Sequence, residues 1–560
     1  MITVHWLGTR CRRGVMVLSV MLFLSGCGGG GGGGTAPATP TRAQLVDAST
    51  LAARATFGLA YDDIVALAAG DSNDWLDRQF SLPVGDHVSV VDGLVARRNA
   101  GEFAPFETDI ELLVTFRRLA WWHRTVTSDD VLRQRIAFAL SEIFVVSDNV
   151  DALIIDPYAL SDFYDMLLGN AFGNFRDLLL DVTLHPAMGV YLSHVNNRKT
   201  DPVRNTFPDE NYAREVMQLF SIGLFELNSD GTRQLDGQGR PVPTYTNNEI
   251  REFAKIFTGL SYGGAGQFFG NPVPYFRAPM VMFDAFHETG TKQLLNGTVI
   301  PAGQTGMQDI HAAIDNLFNH PNVGPFIGKQ LIQRLVTSNP SAAYVRRVAN
   351  AFNGAGTGVR GDMQAVIRAV LLDPEALAPP DTTADFGKLR EPVVRYASLL
   401  RQFGAGSADG FIANTGYVLQ ALSRQHPLSS PSVFNFFLPA HQPAGELAAA
   451  GLVAPEFEIT TSNTVIGMAN LVDFALLGGF VTDATAPFLP VSLDVSDYHA
   501  LAADVPALVD RMDIVLTCGT LSAATRQAIE NTISQVSDLD IRVKLAIYLF
   551  HISPDYTVRL

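Results

Sequence analysis

Along most of this chain apolar residues recur every three or four positions, the spacing that gathers them on one face of an α-helix. Leu132, Ile136, Leu140, Ile143 and Phe144 keep that spacing, and Thr127, Ser128, Asp129 and Asp130 ahead of them can cap the helix start. Thr246 and Glu249 stand at capping-box spacing before a periodic run over 250–260. The same pattern predicts helices near 110–123, 160–170, 209–223, 309–319, 323–337, 342–352, 362–372, 388–403 and 539–551. Two interruptions predict hairpins: 232–245, which contains Asp236, Gly237, Gln238 and Gly239, and 292–300, centred on the turn pair Asn296-Gly297. Strands and helices do not alternate as a parallel sheet requires. The expectation is a mainly α protein, a large multi-helix assembly with small β-hairpin insertions.

Organisation follows the same pattern. A main helical domain is expected over 44–403. The segment 404–460, rich in Gly, Ser and Pro, opens a C-terminal helical region, 404–560, either separate from it or continuous with it. Gly478 and Gly479 interrupt the apolar stretch around 466–481 and Asp473 sits inside it, which favours a buried helix over a membrane span. His185-Pro186 and His320-Pro321 each follow an apolar helix, as do Asp373-Pro374 and Ser553-Pro554. With no fixed repeat period, helix stops explain these echoes better than duplication.

The first 26 residues read as an export signal. Arg10, Arg12 and Arg13 supply the positive region, and residues 14–26 a short apolar run too brief to span a bilayer. Leu24, Ser25, Gly26 and Cys27 resemble the lipobox of bacterial lipoproteins, which implies acylation of Cys27 and attachment to a membrane through lipid. The residue after the cysteine is Gly28 rather than Asp, which by the same resemblance implies an outer-membrane lipoprotein facing the periplasm or the cell surface. Residues 27–43, opening on the glycine run 28–34, are a flexible tether of roughly 20–25 Å reach.

Composition narrows the functional classes. Of the 560 residues 47 % are hydrophobic, ample for a packed core. The formal net charge of −16 argues against a nucleic-acid groove. Of three cysteines, Cys11 leaves with the signal and Cys27 is lipidated, so Cys518 stands alone and packing must hold the fold.

Polar clusters remain. On a helix, Glu210, Asn211, Arg214, Glu215 and Gln218 form one arc, able to bring an acid or base and a guanidinium to a cleft. Glu210 and Arg214 equally make an ordinary i, i+4 surface pair. Asp284, His287, Glu288 and Lys292 form a second cluster, and His194, Asn196 and Asn197 a third. None has the close spacing of a metal motif, so no metal ligands are assigned. Asn228, Asp230 and Asp236 fit turns better than calcium loops. Gly259-Leu-Ser-Tyr-Gly263 matches the serine-nucleophile pattern but follows a helix rather than a strand. Lys329 and Arg334 can meet an acidic ligand or pair internally.

Arg54-Ala-Thr-Phe-Gly58, Pro208 to Glu215, Tyr245-Thr246, Phe257-Thr-Gly259, His287 to Lys292, His320-Pro321 and Lys388 to Pro392, in this order, resemble DUF1800, a family of large exported bacterial proteins without assigned function. The resemblance covers nearly all of 45–557. It implies an exported partner of alkaline-phosphatase-like type and supplies no catalytic set or cofactor. Because its motifs coincide with the polar helix and the His287 loop, a pocket joining them is expected. Glu210 or Glu215 would be the acid/base, Arg214 would orient an anionic group, and His287 would assist proton transfer or bind metal. Asn211, Asn196 and Lys292 would contact ligand. The expected activity is hydrolysis or elimination on an extracellular polymer or envelope ligand. The alternative is a non-catalytic scaffold or assembly lipoprotein for the exported partner.

Overall fold

The helix Val131–Ser141 is buried on every side, an arrangement that only a central position allows. Its apolar residues meet the expected spacing, but its polar ones are enclosed too. Arg133 donates to the Leu168 carbonyl at 3.0 Å and lies over the Phe172 ring; Arg135 donates to the Arg334 carbonyl at 2.8 Å. Asp130 occupies the N-cap position without capping. Its carboxylate instead accepts from the Gly85 N–H at 3.0 Å, where a side chain on residue 85 would collide with it. Around this helix pack Arg42–Ala55, Ala159–Asn170 and Val323–Leu335. Burial of each large apolar side chain there contributes roughly 1.5–3 kcal/mol.

The computed structural model describes residues 39–103, 109–270, 275–378, 385–477 and 488–560. The export signal, Cys27 and the tether up to residue 38 lie outside the described residues. Among the described residues there are 26 α-helices and three two-stranded antiparallel sheets, so the fold is mainly α with small β elements. No described helix is long and apolar enough to cross a membrane.

Local expectations mostly hold, with instructive exceptions. Thr246 and Glu249 form the capping box of Asn247–Ile256. Lys292–Gln293 pairs with Val299–Ile300 around Asn296 and Gly297, both at positive φ as a type I′ turn requires. Asp230 and Asp236 bind backbone N–H groups of their own turns. The helix expected over 209–223 stops at Gln218, because the chain turns at Gly223 (φ +75°) against Phe326. The helix expected from 388 starts at Pro392, because Lys388–Leu389 is a strand paired with Val558–Arg559. Prolines at 186, 374 and 554 open short helices rather than only ending the ones before. His185, Asp373 and Ser553 cap them.

The ends of the described chain meet. Arg42 pairs with Asp513 at 2.5 Å, and Ser49 donates to the Ile514 carbonyl at 2.5 Å. With the 388–389 and 558–559 strands this ties the last helices to the first, and residues Pro40–Leu560 form one compact unit.

Candidate functional site

The sequence-predicted residues fall into separate places. Glu210 and Arg214 sit at the surface, 3.5 Å apart, with side chains about 40 % and 41 % exposed; Arg251 lies 3.9 Å from Glu210. Asn211 is exposed, and its N–H donates to the Asp209 carboxylate. Glu215 points inward from the same helix. Burial raises its pKa, partly offset by Arg214, and its Oε2 has no hydrogen-bond partner among the described residues. Beside it the Tyr245 phenol is pushed up to about 12, by burial first and then by the Glu215 charge.

His287 and Lys292 belong to a sealed network. Both side chains are fully buried, and both meet Asp309 of the Gly306–Phe318 helix: His287 Nε2 at 3.0 Å and Lys292 Nζ at 2.6 Å from Oδ2. His287 Nδ1 lies 3.0 Å from the Thr258 carbonyl, and the Lys292 ammonium also donates to the carbonyls of Glu288 and Gly290. Burial opposes ionisation of Asp309, but its bonds to His287 and Lys292 win and hold its pKa below the usual carboxylate range. Such a network pins the 287–292 loop to a helix. Asn196 accepts from Ser261 Oγ at 2.8 Å, so the Gly259–Gly263 serine is a buried strand residue and not a nucleophile elbow. His194 is buried neutral, its pKa lowered to about 4 by burial, and stacks on Tyr212. Glu210, Asn211, Arg214, Glu215, Asn196, His287 and Lys292 do not line either cavity described below. Among the described residues no three His, Cys, Asp or Glu side chains are placed to hold a metal ion.

An open cleft of about 410 Å³ lies elsewhere. One wall is Val323–Leu335, presenting Phe326, Lys329, Gln330 and Arg334; the opposite wall comes from 218–233, and loop residues 433–453 close a side. Gly223 is what lets the second wall approach: a Cβ there would stand 2.8 Å from the Phe326 ring. The rim is apolar, with Leu224, Phe434 and Leu438 at 45–49 % exposure. It also carries Arg233 and Lys329, neither of which pairs with a carboxylate among the described residues. Enclosure by the wall and then the charge of Arg233 lower the Lys329 pKa.

Glu142, just past the end of the central helix, forms part of the floor. Burial and then the like charge of Glu391 raise its pKa to about 8, against the pull of Arg334. Glu142 therefore holds its proton to a higher pH than a free glutamate, as burial beside a like charge requires. Asn435 Nδ2 donates to Glu142 at 3.2 Å, Gln425 Nε2 to Glu391 at 2.8 Å, and Arg135 lies 3.8 Å from Glu391. Arg334 stands 3.7 Å from Glu142 Oε2 and donates to its carbonyl at 2.8 Å. Lys388 pairs with a third buried acid, Glu456. Even so Glu142 Oε2, Glu391 Oε1, Glu456 Oε2 and Arg334 Nε have no hydrogen-bond partner among the described residues. A carboxyl of raised pKa on a cleft floor beside a guanidinium is chemically able to serve as a general acid.

Comparison with protein families matches residues 50–558 to DUF1800, described as a protein of unknown function. The chain belongs to the DUF1800 family. No curated protein and no solved structure matches it. In this DUF1800 protein, sequence reasoning missed Glu142 because it lies at the end of an apolar helix with no charged neighbour in sequence. Its partners are partly visible in the sequence: Glu391 lies in the Lys388–Pro392 motif, and Arg334 pairs internally, one of the two fates open to it.

Proposed function

We propose that this DUF1800 protein is a lipid-anchored envelope protein whose working site is the 410 Å³ cleft, where Glu142 donates a proton in hydrolysis or elimination on an anionic, partly apolar envelope ligand. The observation that carries the reading is Glu142 on the cleft floor, with Arg334 3.7 Å away and a pKa raised by burial and then by the charge of Glu391. The apolar rim would take the body of the ligand, and Arg233 and Lys329 its negative charge. Arg334, 3.7 Å from Glu142 Oε2, would stabilise the Glu142 carboxylate left after the proton is given up, and solvent in the open cleft would return the proton.

The test uses 8-anilinonaphthalene-1-sulfonate, an aromatic body with one sulfonate. One saturable site is expected, weakened severalfold in Lys329→Glu. Glu142→Gln should keep that binding and abolish release of products from envelope extracts; product release undiminished in Glu142→Gln would end the acid–base assignment.

A second reading rests on the exposed Leu224, Phe434 and Leu438: the rim is the seat of an apolar segment of an exported alkaline-phosphatase-like partner, and the protein is a scaffold. Co-purification from detergent-solubilised membranes, lost in Phe434→Asp, would favour it.

A further inference from the structure

The larger cavity, about 610 Å³, lies away from the cleft, between the first helix and the end of the chain. Its inner wall holds three arginines that the sequence keeps far apart: Arg54, from the first helix; Arg390, beside the 388–389 strand; and Arg559, from the strand paired with it. All three are buried. None is in an ion pair with an Asp or Glu side chain among the described residues. Arg559 donates to the carbonyls of Ala53, Leu335 and Val336, and Arg390 to that of Leu516 while lying 4.5 Å over the Tyr556 ring. Arg54 Nη2 lies 3.5 Å from a terminal carboxyl oxygen of Leu560, which contributes one negative charge for three guanidiniums, and its Nε and Nη1 have no partner. Nε of Arg390 and of Arg559 is likewise without one.

Buried guanidinium groups are normally paired, because an isolated buried charge costs several kcal/mol. Here three of them face one cavity and repel one another; burial first, then Arg54 and Arg390, depress the Arg559 pKa. The acids on the cavity lining are committed or peripheral. Asp555 accepts from Ser522, and Asp47 is exposed on the first helix. Arg42, at the outer edge, is already taken by Asp513. One guanidinium fork satisfies one carboxylate, whereas three call for an anion with more oxygens. The rest of the wall, with Val46, Leu377 and Ala378, leaves space for an organic body.

We propose that this cavity is a binding site for the phosphate group of a small phosphorylated organic ligand, held by Arg54, Arg390 and Arg559. Cys518 lies on the same wall, buried and in the left-handed conformation (φ 55°), and reports on occupancy.

The experiment is thermal denaturation of the full chain in inorganic phosphate, with sodium hexanoate and sodium chloride at matched ionic strength as controls. The expected result is a saturable rise in Tm with phosphate alone, and slower iodoacetamide alkylation of Cys518, followed by peptide mass, over the same concentration range. Arg54→Met should erase both effects. Its own Tm without phosphate should equal or exceed that of the parent, since an unpaired charge is replaced by an apolar chain of similar length. If Arg54→Met does not fold, the phosphate dependence of Cys518 alkylation in the parent decides alone. No saturable phosphate response, a response that survives in a folded Arg54→Met, or an equal response to hexanoate would overturn the proposal.

Discussion

Two buried ionic networks in this protein have similar ingredients and opposite characters. Around Asp309, two donors meet one carboxylate, backbone carbonyls take most of the remaining protons, and the whole is shut off from solvent. Around Glu142, three carboxyls crowd together, several of their atoms lack partners, and one edge is the floor of a cleft. A carboxylate held by two cationic donors fixes structure even with its Oδ1 unpartnered; an acid crowded by like charge and bordering a cleft has its pKa raised instead. The contrast separates a histidine and a lysine that sit in a promising motif from a glutamate that no motif announces.

The comparison can be broken most severely at Asp309. Asp309→Ala leaves Lys292 and His287 buried without their carboxylate and should cost about 3–5 kcal/mol in urea denaturation. A loss under about 1 kcal/mol would mean that the network does not hold the 287–292 loop.

Glu142→Gln should do the reverse. The folded-state pKa of Glu142 is raised, so the folded protein binds the proton more tightly than the unfolded chain. Its ionisation therefore subtracts stability as pH rises from about 4.5 to about 8. Glutamine mimics the protonated acid, so the variant should gain roughly 1–3 kcal/mol over the parent at pH 9, shrinking to nothing near pH 4.5. A pH-independent difference would refute the raised Glu142 pKa.

Gly223→Ala should cost about 1–2 kcal/mol, from positive φ and contact with Phe326, and should weaken anilinonaphthalene sulfonate binding by narrowing the cleft. The smallest effect belongs to the surface pair: Glu210→Ala or Arg214→Ala should change stability by no more than about 0.5 kcal/mol. If Arg214→Ala nevertheless abolished product release while Glu142→Gln did not, the polar helix would be the working site and the cleft would not.

Local rules carried much of the architecture. Helical periodicity, the Thr246–Glu249 capping box and the Asn296-Gly297 turn each act over a few residues, so the letters contain them. Periodicity failed where distant segments intervene: at Gly223, where Phe326 sits against the turn, and at Lys388, which pairs with the far end of the chain.

By itself, then, the sequence determined the helical class, most helix positions, the small hairpins and the resemblance to DUF1800, together with the expectation of a lipid-anchored chain. Only the tertiary structure decided which charged side chains are satisfied. The pKa of Glu142 depends on Glu391 and Arg334, and the exposure of the Arg54 guanidinium to a cavity depends on Arg390 and Arg559. Charge and burial act through space, over distances that folding sets and residue spacing does not encode.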